Sequence, residues 1–271
     1  MSDSEALQRL PDYSSLCQVR EALWGQNEVR GAAIMVGAGF SRCAKKVSEF
    51  SPLPPLWSTF EKAMLGRLYP GEQKSYDPLK LAEEYKAALG AHALDALIRQ
   101  LVADGQWLPG DLHTRLLSLP WADVLTTNWD TLLERTALPN PDRSYDVVHT
   151  VHDIARTRAP RIVKLHGSLP SHQPFIFTAE DFRTYPRNYA AFINLAQQVL
   201  LENDLCLIGF SGDDPNFLQW AGWVRDQLGS NARRIRLVGA LNLSVSQRQV
   251  LEQRNVTPID RKRQADPIWR Q

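Results

Sequence analysis

Cysteine is scarce in this chain: 3 residues in 271, Cys17, Cys43 and Cys206, with no C-x-x-C pair. So few, so scattered, they exclude a disulfide framework and a structural zinc module. An excess of one charge is missing as well. Lys and Arg total 31 against 30 Asp and Glu, a formal net charge of +1, so there is no global electrostatic case for binding nucleic acid or a membrane surface. No apolar run reaches the length of about 18 residues that a spanning helix needs. The opening MSDSEALQRL is polar and acidic, without the apolar core of a signal peptide, and the expected location is the cytoplasm. Internal repeats and low-complexity segments are absent too. What the chain does have is 44% hydrophobic and 23% charged residues, ample for the core of an ordinary globular protein.

Much of the chain is organised around Gly31 to Ser41, GAAIMVGAGFS. The run Ala32 to Val36 predicts a fully buried strand, and Gly37-Ala38-Gly39 stops it before a segment able to start a helix. Glycine permits a sharp turn and a close approach to a ligand because it has no Cβ. A strand, a glycine turn and a helix start together make an anion site of backbone N–H groups. The usual dinucleotide fingerprint asks for a third glycine, where Arg42 stands, and for an acidic residue about 20 positions on. That position falls in a proline-rich stretch, which disfavours an ordinary dehydrogenase.

Along the rest of the chain, Ser14 or Ser15 is a candidate cap for a helix ending near Trp24, with Gly25 and Asn27 closing it. Ser51 to Trp57, SPLPPLW, can be neither helix nor central strand; it reads as a surface connector or as a lid in which Trp57 offers an aromatic face. Helical patterns follow over Trp57–Leu68, Leu79–Leu89, His92–Val102 and Leu112–Leu117, an insert at about 56–118 that is long for a simple crossover. Further strands are expected at Ala122–Thr126, Tyr145–Val151, Arg161–Leu165, Asp204–Ile208 and Arg234–Gly239, with a short one at Phe175–Phe177. Helices are expected at Thr131–Arg135, from Thr178, at Asn188–Glu202, Asn216–Leu228 and Ser246–Arg254. From Arg248 to Gln271 six Lys or Arg face three Asp or Glu, a pattern expected of a solvated end or a linker to another module. The fold class is α/β, a Rossmann-like, doubly wound, mostly parallel sheet of about six strands with an inserted helical subdomain, forming one domain over 1–271.

Polar groups cluster at strand ends, where ligand-binding residues sit in open α/β sheets. Thr127-Asn128-Trp129-Asp130 closes one strand; Asn128 or Asp130 is also a candidate helix cap. His166, between a buried strand and Gly167, is placed to act as an exposed general base. His92 and His113, on helices of the insert, read as surface or packing residues rather than ligands, and His149, His152 and His172 have no comparable setting.

GAGFS at 37–41, TTNWD at 126–130, LHGS at 165–168 and GFSGDDP at 209–215, in this order and spacing, resemble the NAD-binding core of sirtuins. They are most similar to the sirtuin-like NAD hydrolase domains of bacterial anti-phage defence proteins. The resemblance covers about 30–245. It implies that Gly37, Ala38, Gly39, Phe40 and Ser41 hold the dinucleotide phosphates, and that Gly209, Phe210 and Ser211 contact the same NAD from the opposite side, with Thr127 also in the cofactor site. It implies that Asn128 contacts the nicotinamide ribose and positions water, that Asp130 lies near the carboxamide, and that His166 is the general base. The LPPLW stretch matches a flexible cofactor loop.

Departures narrow the expectation. The four zinc-binding cysteines of sirtuin deacylases have no counterpart, so neither zinc nor another metal is expected, and the support for an acyl-peptide cleft goes with it. The implied activity is hydrolysis of NAD, its substrate, to nicotinamide and ADP-ribose as the NAD-depleting effector of an abortive-infection system. A homo-oligomer or an associated sensor module is the implied partner. The alternatives are an NAD-dependent deacylase, ADP-ribose transfer to another acceptor, and a non-catalytic nucleotide-binding domain.

Overall fold

The computed structural model describes residues 8, 10–25, 31–71, 76–139, 143–172 and 174–260. Asn27 and the last part of the basic stretch, 261–271, lie outside the described residues. The strands are β1 (Gly31–Val36), β4 (Val124–Thr126), β5 (Asp146–Val148), β6 (Arg161–Lys164), β7 (Asn203–Ile208), β8 (Ile235–Gly239) and β9 (Val256–Asp260). They form a seven-stranded sheet in the order β5-β6-β4-β1-β7-β8-β9, and every pair in it is parallel. A short antiparallel ladder of β2 (Lys45–Lys46) and β3 (Trp107–Leu108) stands apart from it.

Parallel strands are covered on both faces, which is why these segments read as unbroken apolar runs. Successive side chains of β1 serve opposite faces. Ala33 and Met35 join one core with Leu205, Leu207 and Leu237. That face is covered by α8 (Ala179–Asn188), α9 (Ala190–Glu202) and α10 (Pro215–Leu228). Ala32, Ile34 and Val36 join the other core with Val124 and Ile162. There α1 (Tyr13–Trp24), α6 (Asp111–Ser118) and α7 (Leu132–Ala137) form the cover.

The helical insert divides between layers. α3 (Trp57–Leu68), α4 (Pro78–Leu89) and α5 (Ala91–Val102) build a third core around Phe60, Met64, Leu81 and Leu97, into which Phe175 and Phe177 also pack. α6 instead contributes Leu116 and Leu117 to the sheet. His113, in α6, accepts from the Gly110 N–H at 3.2 Å and so caps its own helix.

Several expectations change. The first helix begins at Tyr13 with Asp12 at its N-cap position, not at Ser14 or Ser15. The glycine turn opens only a single helical turn, α2 (Ala38–Ser41). The helix expected over Asn188–Glu202 is α9 alone, because Tyr189 leaves helical geometry between α8 and α9. Phe175–Phe177 is not a strand: the Ile176 N–H donates to the His166 carbonyl at 3.1 Å, so its partner is a loop rather than a sheet edge. The sheet has one strand more than expected, β9, on the edge where Pro258 is tolerated. With it, Arg248 to Asp260 is not a solvated end. Asp12 accepts from Arg248 at 3.2 Å and from the Asp260 N–H at 3.1 Å, tying the start of α1 to α11 (Val245–Gln253) and β9.

Candidate active site

Because all seven strands run the same way, their C-terminal ends open on one edge of the sheet. The chain leaves β1 for β4 on one side and later returns to β7 on the other. That reversal creates a crevice above β1. A cavity of about 940 Å³ occupies it.

The two glycine turns form its floor by packing on each other. The Gly39 N–H donates to the Gly209 carbonyl at 2.8 Å. Gly209 has φ +59°, and a Cβ there would lie 2.1 Å from the Phe40 nitrogen. A Cβ on Gly37 would lie 2.5 Å from the Gly209 oxygen. The glycines thus permit contact between two turns, a requirement independent of any ligand.

Gly37, Ala38, Gly39, Ser41, Thr127, Asn128, Asp130, His166, Gly209, Phe210 and Ser211 all border the cavity. Phe40 does not. Its ring turns into the core beside His113, with centroids 4.8 Å apart. The Ser41 hydroxyl is engaged within the site. It donates to Asp130 Oδ2 at 2.7 Å and accepts from Asn128 Nδ2 at 3.0 Å. Asp130 Oδ1 accepts from the Leu132 N–H at 3.2 Å, so this residue does act at the start of α7, while Asn128 does not cap it. Burial pushes the Asp130 carboxyl above its usual range, opposed by the Lys164 charge and the Ser41 hydrogen bond.

Below Asp130 lies a buried ion pair that sequence reasoning missed. Lys164 Nζ sits 3.0 Å from Glu134 Oε1 and donates to the Asp130 carbonyl. Ser168 donates to the same Glu134 oxygen at 3.2 Å. An apolar strand ending in Lys-Leu-His, with the lysine on an inward register, is the signal that could have shown it.

His166 is 3% exposed. Its ring meets Phe182 and Tyr185 of α8 edge-on. Nε2 lies 3.3 Å from Asn216 Nδ2 and 3.9 Å from Asp214 Oδ2. Burial lowers its pKa, opposed by the charges of Asp214 and Asp181. The LPPLW stretch borders the cavity through Pro54, Pro55, Leu56 and Trp57. Trp57 stacks on Phe177 with centroids 5.1 Å apart, so this segment forms a wall of the cavity.

Residues 122–259 match the SIR2-like domain family. The chain belongs to this family. As a SIR2-like domain it is 25% identical over 198 residues to defense-associated sirtuin 2 of Bacillus subtilis, covering 70% of this chain and 19% of that protein. It is 26% identical over 212 residues to the NAD(+) hydrolase ThsA of Acinetobacter baumannii, covering 76% and 42%. To the NAD(+) hydrolase ThsA of Enterococcus faecium it is 28% identical over 215 residues, again 76% and 42%. The SIR2-like chain thus spans less than half the length of these relatives. Among its described residues no group of three or more His, Cys, Asp or Glu is arranged to hold a metal, and no helix is long and apolar enough to cross a membrane.

Proposed function

We propose that this domain cleaves the bond between nicotinamide and ribose in NAD+, with water as the acceptor. The observation that carries the reading is the meeting of Asn128, Asp130 and His166 with both glycine turns around one cavity. The name of the ThsA relatives, NAD(+) hydrolase, supports the same substrate.

NAD+ carries its own leaving group. The glycosyl C–N bond breaks with its electron pair moving to the cationic pyridine nitrogen, so nicotinamide departs neutral and the ribose becomes oxocarbenium-like. Water forms the new C–O bond and gives up one proton. Asn128 orients the ribose or that water: its Nδ2 is held by Ser41, which leaves the amide oxygen to face a ligand. His166 accepts the proton from the water or from a ribose hydroxyl, as a general base. Asp130, buried beside Asn128, orients the carboxamide or stabilises the cationic transition state. The backbone of the two turns takes the diphosphate.

In the cell the domain acts, on this reading, as a cytoplasmic NAD-depleting effector of bacterial anti-phage defence by abortive infection, and an oligomer or a sensor module triggers it. The name of the Bacillus subtilis relative supports the setting.

The test is nicotinamide release from NAD+ by the purified chain over a range of protein concentrations, with Asn128→Ala and His166→Ala alongside. Release without an acyl peptide, reduced on the order of 10²–10⁴-fold in His166→Ala and also lost in Asn128→Ala, is the expected result. Release that requires an acyl-lysine peptide would identify a deacylase instead, and saturable NAD+ binding with no release, even in the oligomeric or partner-bound form, would identify a binding module.

A further inference from the structure

Asp214 and Asn216 belong to the glycine–serine turn and the first turn of α10, and the reading above gives them no task. Both approach the same atom. Asn216 Nδ2 is 3.3 Å from His166 Nε2, and Asp214 Oδ2 is 3.9 Å from it. Asn216 is buried. Asp214 is fixed by its other oxygen, which accepts from the Phe217 N–H at 3.0 Å. The opposite ring nitrogen, Nδ1, has no protein partner among the described residues, and the ring borders the cavity. Whichever nitrogen serves a ligand, it is therefore Nδ1.

The proton inventory then matters. A neutral imidazole has one N–H and one lone pair. If Nε2 keeps its lone pair, it faces the negative charge of Asp214, and Nδ1–H points to the cavity as a donor. If Nε2 carries the proton, the carboxylate attracts it and Nδ1 offers a lone pair to the cavity. The Asn216 amide serves either form, because a half-turn of the amide exchanges its N–H for its oxygen. The carboxylate is the element that breaks this symmetry. Other groups around the ring do not oppose it. From α8 come Asp181, whose charge acts in the same direction as that of Asp214, and Tyr185, which donates its hydroxyl to the Leu165 carbonyl at 2.8 Å. Trp129 donates to the His166 backbone carbonyl at 3.0 Å and leaves the ring alone.

We propose that Asp214 and Asn216 are positioning residues that hold His166 in the Nε2–H form, with the Asn216 amide oxygen accepting that proton, so that Nδ1 is the base presented to the cavity. This role rests on the proposed hydrolysis for its catalytic meaning, while the tautomer itself stands on the geometry alone. In the reaction, Nδ1 takes the proton from the water or ribose hydroxyl, and the imidazolium that results is stabilised by the Asp214 charge, the logic of a carboxylate behind a catalytic histidine.

The experiment uses the full chain labelled with ¹⁵N-histidine, with His166→Gln to assign the ring signals, and follows the two His166 nitrogens with pH. Alongside it, nicotinamide release is measured against pH in wild type, Asp214→Asn and Asn216→Asp. Asparagine is as good a helix cap as aspartate, so Asp214→Asn removes the charge and keeps the turn. The wild type is expected to show Nε2–H and an unprotonated Nδ1. Asp214→Asn is expected to move the acid limb of the rate to lower pH, by about one to three pH units for a charge at this range, and Asn216→Asp to move it to higher pH. A residue that merely supported the fold would lower the rate at every pH without moving the limb. An Nδ1–H signal in wild type, or limbs that stay in place in both variants, would overturn the proposal. A chain that shows Nε2–H but releases no nicotinamide, even in its oligomeric or partner-bound form, would overturn the hydrolysis and leave the positioning intact.

Discussion

The Ser41 hydroxyl donates to Asp130 Oδ2 across 2.7 Å, joining the turn after β1 to the turn after β4 over 89 positions of sequence. Its single proton is spent there and it also receives the Asn128 amide. The hydroxyl thus ties the two neighbouring side chains together and has no proton left for a further acceptor.

Ser41→Ala is accordingly expected to lower kcat for nicotinamide release more than it weakens NAD+ binding. It leaves the buried Asp130 short of a donor, a loss of about 1–3 kcal/mol. The pH dependence has a definite sign. Asp130 has a folded pKa above its usual value of 3.8, so its contribution to stability is present below that value and is lost as pH rises through the folded pKa. Removing the hydrogen bond raises the folded pKa further. The stability gap between wild type and variant should be small in acid and widen as pH rises, in urea melts read at a series of pH values. An unchanged kcat would contradict the role given to Ser41.

Lys164 is 1% exposed at its side chain and faces Glu134 at 3.0 Å. Deleting one partner of a buried pair strands the other charge, and Glu134 Oε2 already lacks a hydrogen bond. Lys164→Ala should therefore cost about 3–5 kcal/mol. The double substitution Lys164→Met with Glu134→Leu should be less destabilising than the two single changes added together. A double-mutant cycle by chemical denaturation measures this, and simple additivity would show that the two side chains are not coupled.

His149 stacks on His172 with centroids 4.0 Å apart and planes within 7°. Burial, reinforced by the nearby charges of His172 and Lys164, lowers the His149 pKa from 6.5 to about 4. A base with a depressed folded pKa contributes stability above its unfolded value and loses it as pH falls. The chain should weaken between about pH 6.5 and 4, and His149→Phe, which keeps a flat ring in the stack, should flatten the stability curve in that window. An equal slope in both proteins would remove His149 from the acid transition.

The layered sheet was legible because buried parallel strands are continuous apolar runs that stop at glycine or polar residues, a signal contained within each segment. GAAIMV, DVLT, RIVK and DLCLI all show it. Two segments escaped for opposite reasons. Val256–Asp260 carries Pro258 and basic neighbours yet completes the sheet, because an edge strand has one side free. Phe175–Phe177 has strong strand propensity yet is none, because its backbone found the His166 carbonyl and its rings found the helical core.

By itself the sequence determined the α/β class, the strand ends that carry Asn128, Asp130 and His166, and the family resemblance, since each depends on residues adjacent along the chain. Only the tertiary structure decided that Ser41 is consumed by Asp130 and Asn128, that Lys164 meets Glu134, and that Asp214 and Asn216 close on the far side of His166. Those contacts depend on which strand lies beside which and at what register, and parallel pairing between distant segments settles that, not the local pattern of either one.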